Sequence, residues 1–286
     1  VVSVGRVTAR QKVLRIRDGA VDERPDTLAV EEPLEIRLDG SPLTVTMRTP
    51  GHDFDMAAGF LVSEGVITGT GDVLATRYCA GTDEDGRNTF NVVDVSLAAH
   101  VPPPDTSLER NFYTTSSCGL CGKASLDAVR TRTRWAVADD PLRVDTPLLS
   151  SLPDRLREAQ RVFDRTGGLH AAGLFDPSGR ALVVREDVGR HNAVDKVLGW
   201  AQRTGALPLR GTVLALSGRA SFELVQKAWM AGIPVVTAVS APSSLAAELA
   251  QEAGITLVGF LRGASMNVYS ATERVELPAG NHDPRP

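Results

Sequence analysis

The sequence predicts an α/β protein, a layered mixed or parallel sheet preceded by a smaller α+β unit. Two observations carry this reading. From Pro147 onward, short β-branched runs alternate with helical patterns of about ten residues, the rhythm of a sheet with crossover helices. Before Ala98 the order is instead strand, turn, strand, one amphipathic helix and a further strand. With 286 residues, 42% hydrophobic and 23% charged, the chain can bury one large core or two modest ones.

The first 26 residues are rich in Arg and Asp and read as a weakly ordered tail or an edge strand. Ala29 to Leu38 alternates, breaks at Asp39-Gly40 and resumes from Leu43 to Arg48, which is a hairpin signal. His52 to Glu64 carries Phe54, Ala57, Ala58, Leu61 and Val62 at helical spacing, and Gly65 supplies a stop. Asn88 to Ala98 alternates as a strand, and Cys79 reads as a buried residue at the end of another. Three consecutive prolines, Pro102 to Pro104, fit neither helix nor sheet interior and mark a linker.

Beyond it, Leu149, Leu152, Leu156, Ala159, Val162 and Phe163 mark one helix face. Strands are expected at Ala181 to Val184, Thr212 to Leu216, Ile233 to Val239 and Ile255 to Phe260. Between them fall helices through Ala193 to Ala201, Ser221 to Met230 and Ser243 to Glu252, so a largely parallel sheet is expected. The expected domains are a tail over 1–26, a small α+β domain over 27–113, an α/β domain over 114–277 and a disordered tail over 278–286.

Composition narrows the function classes. A formal net charge of −4 gives no overall nucleic-acid footprint. No apolar run approaches a membrane span, and the basic stretch Val1 to Arg17 lacks the apolar core of a signal peptide. Three cysteines, two of them close together, fit a reducing cytoplasm better than a secreted disulfide scaffold.

Those two lie in Ser117-Cys118-Gly119-Leu120-Cys121-Gly122-Lys123. Thiols at this spacing can close a strained disulfide, share a metal, or hold and release a sulfur atom. Structural zinc wants four ligands, whereas the third cysteine is Cys79 and the five histidines are scattered singly, so no metal site is expected. The small polar neighbours, Lys123 and a helix starting near Ala124 favour an accessible thiolate over an inert buried thiol.

Ligands of α/β sheets gather at the carboxyl ends of strands. There the sequence places Arg185 to Asn192, Ser217-Gly218-Arg219-Ala220-Ser221, Ser240 to Ser244 and Arg262-Gly263-Ala264-Ser265. Hydroxyls, glycine turns, helix starts and guanidinium forks together suit phosphate groups, although each serine alone would serve as a helix cap. Neither G-x-G-x-x-G nor a Walker A sequence is present, so an ordinary dinucleotide or ATP site is not indicated. His191, between Arg190 and Asn192, suits proton transfer or a helix cap; His170 suits a packed core position, a metal or a ligand contact.

Ser116 to Gly122, Gly168-Leu169-His170-Ala171-Ala172, Asp187 to Lys196, Leu216-Ser217-Gly218-Arg219 and Phe260-Leu261-Arg262-Gly263 occur in one order over about Leu28 to Val275. In these motifs the chain resembles the formate dehydrogenase accessory sulfurtransferase family, FdhD. The resemblance implies a cytidine-deaminase-like larger domain, a cytoplasmic homodimer and no permanent cofactor. It implies an enzyme that accepts persulfide sulfur from a cysteine desulfurase. That sulfur would pass to the molybdenum bis(molybdopterin guanine dinucleotide) cofactor, bound as substrate, on its way to formate dehydrogenase.

By motif match Cys118 would form the persulfide with Cys121 as its partner. Phe260, Leu261, Arg262, Gly263, Ala264 and Ser265 would bind the cofactor, joined from the strand-end reading by Ser217, Gly218, Arg219, Ser240, Arg190 and His191. Deamination is not expected: the cysteine pair precedes the histidine, and Ala172 stands two positions after His170 where a zinc deaminase has its glutamate. The rival from another class is a non-catalytic cofactor-binding chaperone with a redox-sensitive cysteine pair. A disulfide oxidoreductase fits less well, since thioredoxin-type pairs open a helix directly after a strand.

Overall fold

The computed structural model describes residues 6–79, 81, 89–102 and 135–277. Strands β1 (Thr8–Arg17) and β2 (Ala20–Ala29) form a hairpin of their own. A four-stranded sheet follows, in the order β4-β3-β6-β5, from β3 (Glu32–Leu38), β4 (Ser41–Arg48), β5 (Val73–Tyr78) and β6 (Val92–Leu97). Between β4 and β5 lies helix α1 (Asp53–Ser63), whose Met56, Ala57 and Leu61 bury against Leu34, Ile36, Val93 and Val95 of that sheet. The turn at Asp39-Gly40 has both residues at positive φ, the geometry that an Asp-Gly hairpin favours.

The second half returns through β7 (Val144–Asp145), α2 (Thr146–Glu158) and α3 (Arg161–Thr166). Next come β8 (His170–Phe175), β9 (Ala181–Asp187), α4 (Arg190–Thr204), β10 (Val213–Leu216) and α5 (Phe222–Met230). The chain ends through β11 (Val235–Ala238), α6 (Ser244–Ala253), β12 (Thr256–Arg262), β13 (Ser265–Ser270) and β14 (Val275–Glu276), the last paired with β7. The central sheet has six strands in the order β13-β12-β11-β10-β8-β9. Helices α4, α5 and α6 bury their apolar stripes on one face, and α2 with Leu149, Leu152 and Leu156 covers the other.

Three expectations change. The sheet is mixed rather than largely parallel, because β8 runs against both β9 and β10, and β13 runs against β12. The single helix face expected from Leu149 to Phe163 is split between α2 and α3, with Val162 and Phe163 only half-buried. Residues 8–26, expected as a weakly ordered tail or an edge strand, pair in continuous antiparallel register with little burial on either face. Their backbone hydrogen bonds therefore hold them, without the one-sided burial that makes a strand readable.

The N-terminal sheet unit and the central sheet meet where α1 crosses α4. A Cβ at Gly59 would stand 1.8 Å from the carbonyl oxygen of Asp195, and one at Gly199 would stand 1.6 Å from that of Asp55. Only glycine lets the two backbones approach this closely. Among the described residues no helix is long and apolar enough to cross a membrane.

Candidate functional site

The mixed topology still brings the strand ends together. Because β9, β10, β11 and β12 run one way, Asp187, Leu216, Ala238 and Arg262 end at the same edge, and the reversed β8 and β13 begin there with His170 and Ser265. Helices α4, α5 and α6 all start from that edge. The loops are stitched by their backbones: Ser240 N–H donates to Gly218 O (3.3 Å), and Phe260 N–H to Ser240 O (3.2 Å). Ser217 Oγ accepts from Ala171 N–H at 2.8 Å, and Arg262 Nε donates to Val239 O at 3.3 Å. Ser217, Gly218, Ser240, Phe260 and Arg262 are thereby one surface.

Phe260 is 42% exposed and adopts φ 52°, inside an irregular stretch of the β12–β13 pairing. A bulky side chain held in that region costs about 1–2 kcal/mol. Gly263, Ala264 and Ser265 form the exposed turn beyond it, and Arg219 is exposed as well. Leu261 differs: at 1% exposure it packs in the core with Val235 and Val258, so only its backbone belongs to the edge.

The run Asp187 to Lys196 divides its residues between two tasks. Asp187 is fully buried, with Lys196 Nζ at 2.6 Å, and it accepts from the N–H groups of Gly189 (2.8 Å) and Thr49 (3.2 Å) and from Asn192 Nδ2 (3.0 Å). Asn192 Nδ2 also donates to Met47 O and Lys196 Nζ to Thr49 O, both at 2.8 Å. Asp195 takes two hydrogen bonds from Lys227 Nζ, at 2.9 and 3.0 Å, and one from Ser63 Oγ at 2.8 Å. Burial alone would lower Lys227, but Asp195, Glu223 and Glu64 hold it protonated, above its ordinary range. These side chains tie α4 to the N-terminal unit and leave Arg190 and His191 on the edge.

Sequence reasoning placed Arg185 to Asp187 in a loop; β9 instead continues through them, and Arg185 Nη2 is bound to Asp55 at 2.9 Å. Ser221 and Ser243 both precede helices, yet only Ser243 caps, accepting from Ala246 N–H at 3.2 Å. The Ser221 hydroxyl lies 3.2 Å from His191 Nε2, which also has Glu223 Oε2 at 3.3 Å. Among the described residues, α5 therefore starts without a side-chain cap, as does α4, whose cap residue is Gly189.

His170 enters this group from the other side. A Cβ at Gly218 would stand 3.4 Å from its Nδ1, so the ring lies against the Gly218 turn. Burial, then Arg190, lower the His170 pKa against the pull of Asp187. Burial first, with Lys227, Arg190 and His170 adding, pushes His191 down to about 4 despite Glu223. Both imidazoles are neutral near pH 7, beside a guanidinium whose buried Nε has no hydrogen-bond partner among the described residues. Such an edge offers cationic forks, neutral ring nitrogens, helix starts without a side-chain cap among the described residues and the exposed face of Phe260, which together suit phosphates and a planar base.

Glu223 was missed, since a glutamate two residues into a helix reads only as a favourable dipole partner; of the three readings open for His170, its place against the Gly218 turn fits the ligand contact. Cys118 and Cys121 lie outside the described residues, as do the linker prolines Pro103 and Pro104 and the helix expected from Ala124. Cys79 follows β5 as a free, half-buried thiol rather than a fully buried one.

The model of the FdhD/NarQ family matches residues 29–276. The chain belongs to the FdhD/NarQ family. It is 68% identical over 277 residues to the sulfur carrier protein FdhD of Streptomyces avermitilis, covering 96% of this chain and 98% of that one. Identity to the sulfur carrier protein FdhD of Mycolicibacterium paratuberculosis is 60% over 270 residues, covering 94% of this chain and 99% of the relative. Among solved structures, a candidate formate dehydrogenase accessory protein from Desulfotalea psychrophila matches with TM-score 0.71 and 27% identity, covering 95% of this chain and all of that one. The mixed α/β fold is thus that of a family member.

Proposed function

We propose that this protein is a sulfurtransferase that carries sulfur to a molybdenum bis(guanine dinucleotide) cofactor needed by formate dehydrogenase. The observation that carries this reading is the sheet edge, where Arg190, Arg219, Arg262, two uncapped helix starts and exposed Phe260 suit a phosphate-bearing purine ligand. Membership of a family whose relatives are named sulfur carrier proteins supplies the chemistry. The cofactor is cargo here: the arginines and helix N–H groups hold its phosphates, and Phe260 stacks on a guanine.

In the transfer, the Cys118 thiolate attacks the outer sulfur of a cysteine desulfurase persulfide. The donor's S–S bond breaks, its cysteine leaves as thiolate, and Cys118 carries the persulfide. Cys121 thiolate then attacks the Cys118 sulfur and expels hydrosulfide. The sulfane sulfur gains two electrons as the Cys118–Cys121 disulfide forms, and a thiol reductant resets the pair. The protein acts in the cytoplasm as a homodimer. Its six-stranded domain is of the cytidine deaminase type without deaminase chemistry, since fully buried Ala172 replaces the proton-shuttling glutamate.

Peptide mass spectrometry after incubation with a cysteine desulfurase and cysteine tests the reading. Reductant-labile sulfur is expected on Cys118, and Cys118→Ala should abolish transfer while cofactor binding persists. A Cys118→Ala protein that still matures formate dehydrogenase would instead establish a non-catalytic chaperone.

A further inference from the structure

At the foot of the β1–β2 hairpin, beside α3 and the first residue of β3, the protein has an open cavity of about 790 Å³. Arg6, Arg10 and Arg165 line it from three parts of the chain: the segment before β1, β1 itself and α3. Thr8 and Thr27 add hydroxyls, and Arg165 Nη2 donates to Thr8 Oγ1 at 3.3 Å. The acidic residue of the lining is Glu32, whose Oε2 is already engaged by Nη1 of buried Arg48 at 3.2 Å. Among the described residues, Arg6 and Arg10 have no ion-pair partner. Another cavity of about 420 Å³ is lined by Arg143 and Arg155, but there Asp145 and Glu276 face them and balance the charge.

Three arginines and one carboxylate, itself engaged by Arg48, give this open space a net positive lining that an anion would neutralise. Guanidinium forks match the oxygens of phosphate groups in pairs, and a volume of this size falls within the range of small-ligand sites. The wall is fixed as well. Helix α3 is held to β9 by Glu186, whose Oε2 accepts from Val162 N–H (3.0 Å) and Oε1 from Phe163 N–H (2.8 Å). The lining has no aromatic face and only Ala9 and Val30 as apolar residues, so recognition there rests on charge.

We propose that the hairpin-foot cavity is a second anion site, taking a small polyanion of the diphosphate class through Arg6, Arg10 and Arg165. It is independent of the sheet-edge site and of the sulfur-transfer reading. The diphosphate reaches it either free or as part of a nucleotide.

The test is calorimetric titration of the whole chain with inorganic pyrophosphate and, separately, with GDP. It compares the unaltered protein with Arg10→Gln/Arg165→Gln and with Arg219→Gln/Arg262→Gln, thermal melts confirming that both variants fold. The first pair should weaken pyrophosphate binding at one saturable site at least about tenfold, and the second should leave the affinity of that same site within about twofold, whatever it does to pyrophosphate at the sheet edge. Any other pattern overturns the site, including no saturable binding in the unaltered protein below about 5 mM. Competition between GDP and pyrophosphate that depends on Arg10 and Arg165 identifies a nucleotide-borne diphosphate; its absence alongside the expected pattern identifies the free oxyanion. These outcomes hold whether or not GDP also binds at the sheet edge.

Discussion

The seam between α1 and α4 and the edge where α4 begins share one stretch of sequence, Asp187 to Lys196, and handle charge in opposite ways. In the seam every charge is spent: Asp187 on Lys196, Asp195 on Lys227, Asp55 on Arg185 and Arg203. On the edge, among the described residues, Arg190 Nε is buried without a hydrogen-bond partner and Arg219 is exposed. A satisfied ionic network rigidifies, whereas an unsatisfied one is held in readiness for a ligand. The seam therefore positions what the edge uses, and perturbing each should give opposite signatures.

The largest effect is expected where the seam has no slack. Gly199→Val would place side-chain atoms where Asp55 O already stands, so α1 and α4 must part. Urea unfolding followed by circular dichroism should show a loss on the order of 4 kcal/mol or more, or no cooperative fold at all. A loss below about 1 kcal/mol would mean that the two halves are not rigidly joined at this seam.

Next is Lys196→Met, which strands the fully buried Asp187 carboxylate without its cation. The expected cost is about 3–5 kcal/mol in the same measurement. Adding Asp187→Asn should recover part of it, because the amide oxygen keeps the acceptor for Gly189 N–H and Asn192 Nδ2 without a buried charge, at the loss of the acceptor for Thr49 N–H. No recovery would show that the charge itself is not what the seam needs.

Much of this frame was legible and some was not, for definite reasons. Strands β10 and β11 are entirely buried and apolar except for Thr237, and they lie between amphipathic helices, so periodicity and turn residues found them. Strand β8 was hidden by its composition, His-Ala-Ala-Gly-Leu-Phe, which lacks β-branched residues. A Cβ at Gly173 would fall 2.8 Å from the Phe175 ring, so packing selected the small residue that weakened the strand signal. The edge loops were readable because glycine, serine and arginine announce their chemistry locally. The seam was not, because the partners of Asp187 and Lys196 at Thr49 are 138 and 147 residues away, and spacing names a residue without naming its partner.

The edge histidine gives the third effect. The folded state holds His191 at about 4 while the unfolded chain titrates near 6.5, so between those values only the unfolded chain carries the proton. Stability from this group is complete above pH 6.5 and declines as pH falls toward 4, by at most about 3 kcal/mol. His191→Gln keeps a polar partner for Ser221 and should flatten the pH dependence across that window, leaving stability at pH 8 nearly unchanged. An unaltered slope in the variant would assign the acid sensitivity to His170 and His52, which burial also lowers.

The smallest stability effect separates the two regions most sharply. Phe260 is exposed and held at φ 52°, a conformation glycine adopts without strain. Phe260→Gly should therefore change stability by no more than about 1 kcal/mol, the relief of strain offsetting the added freedom of the unfolded chain. GDP affinity, followed by calorimetric titration, should nevertheless fall at least about tenfold once the stacking face is gone. A residue that can be removed from the fold at almost no cost yet is required for binding is one the fold holds in strain for its ligand. If GDP binding survives and stability drops by several kcal/mol, Phe260 belongs with the seam rather than the site.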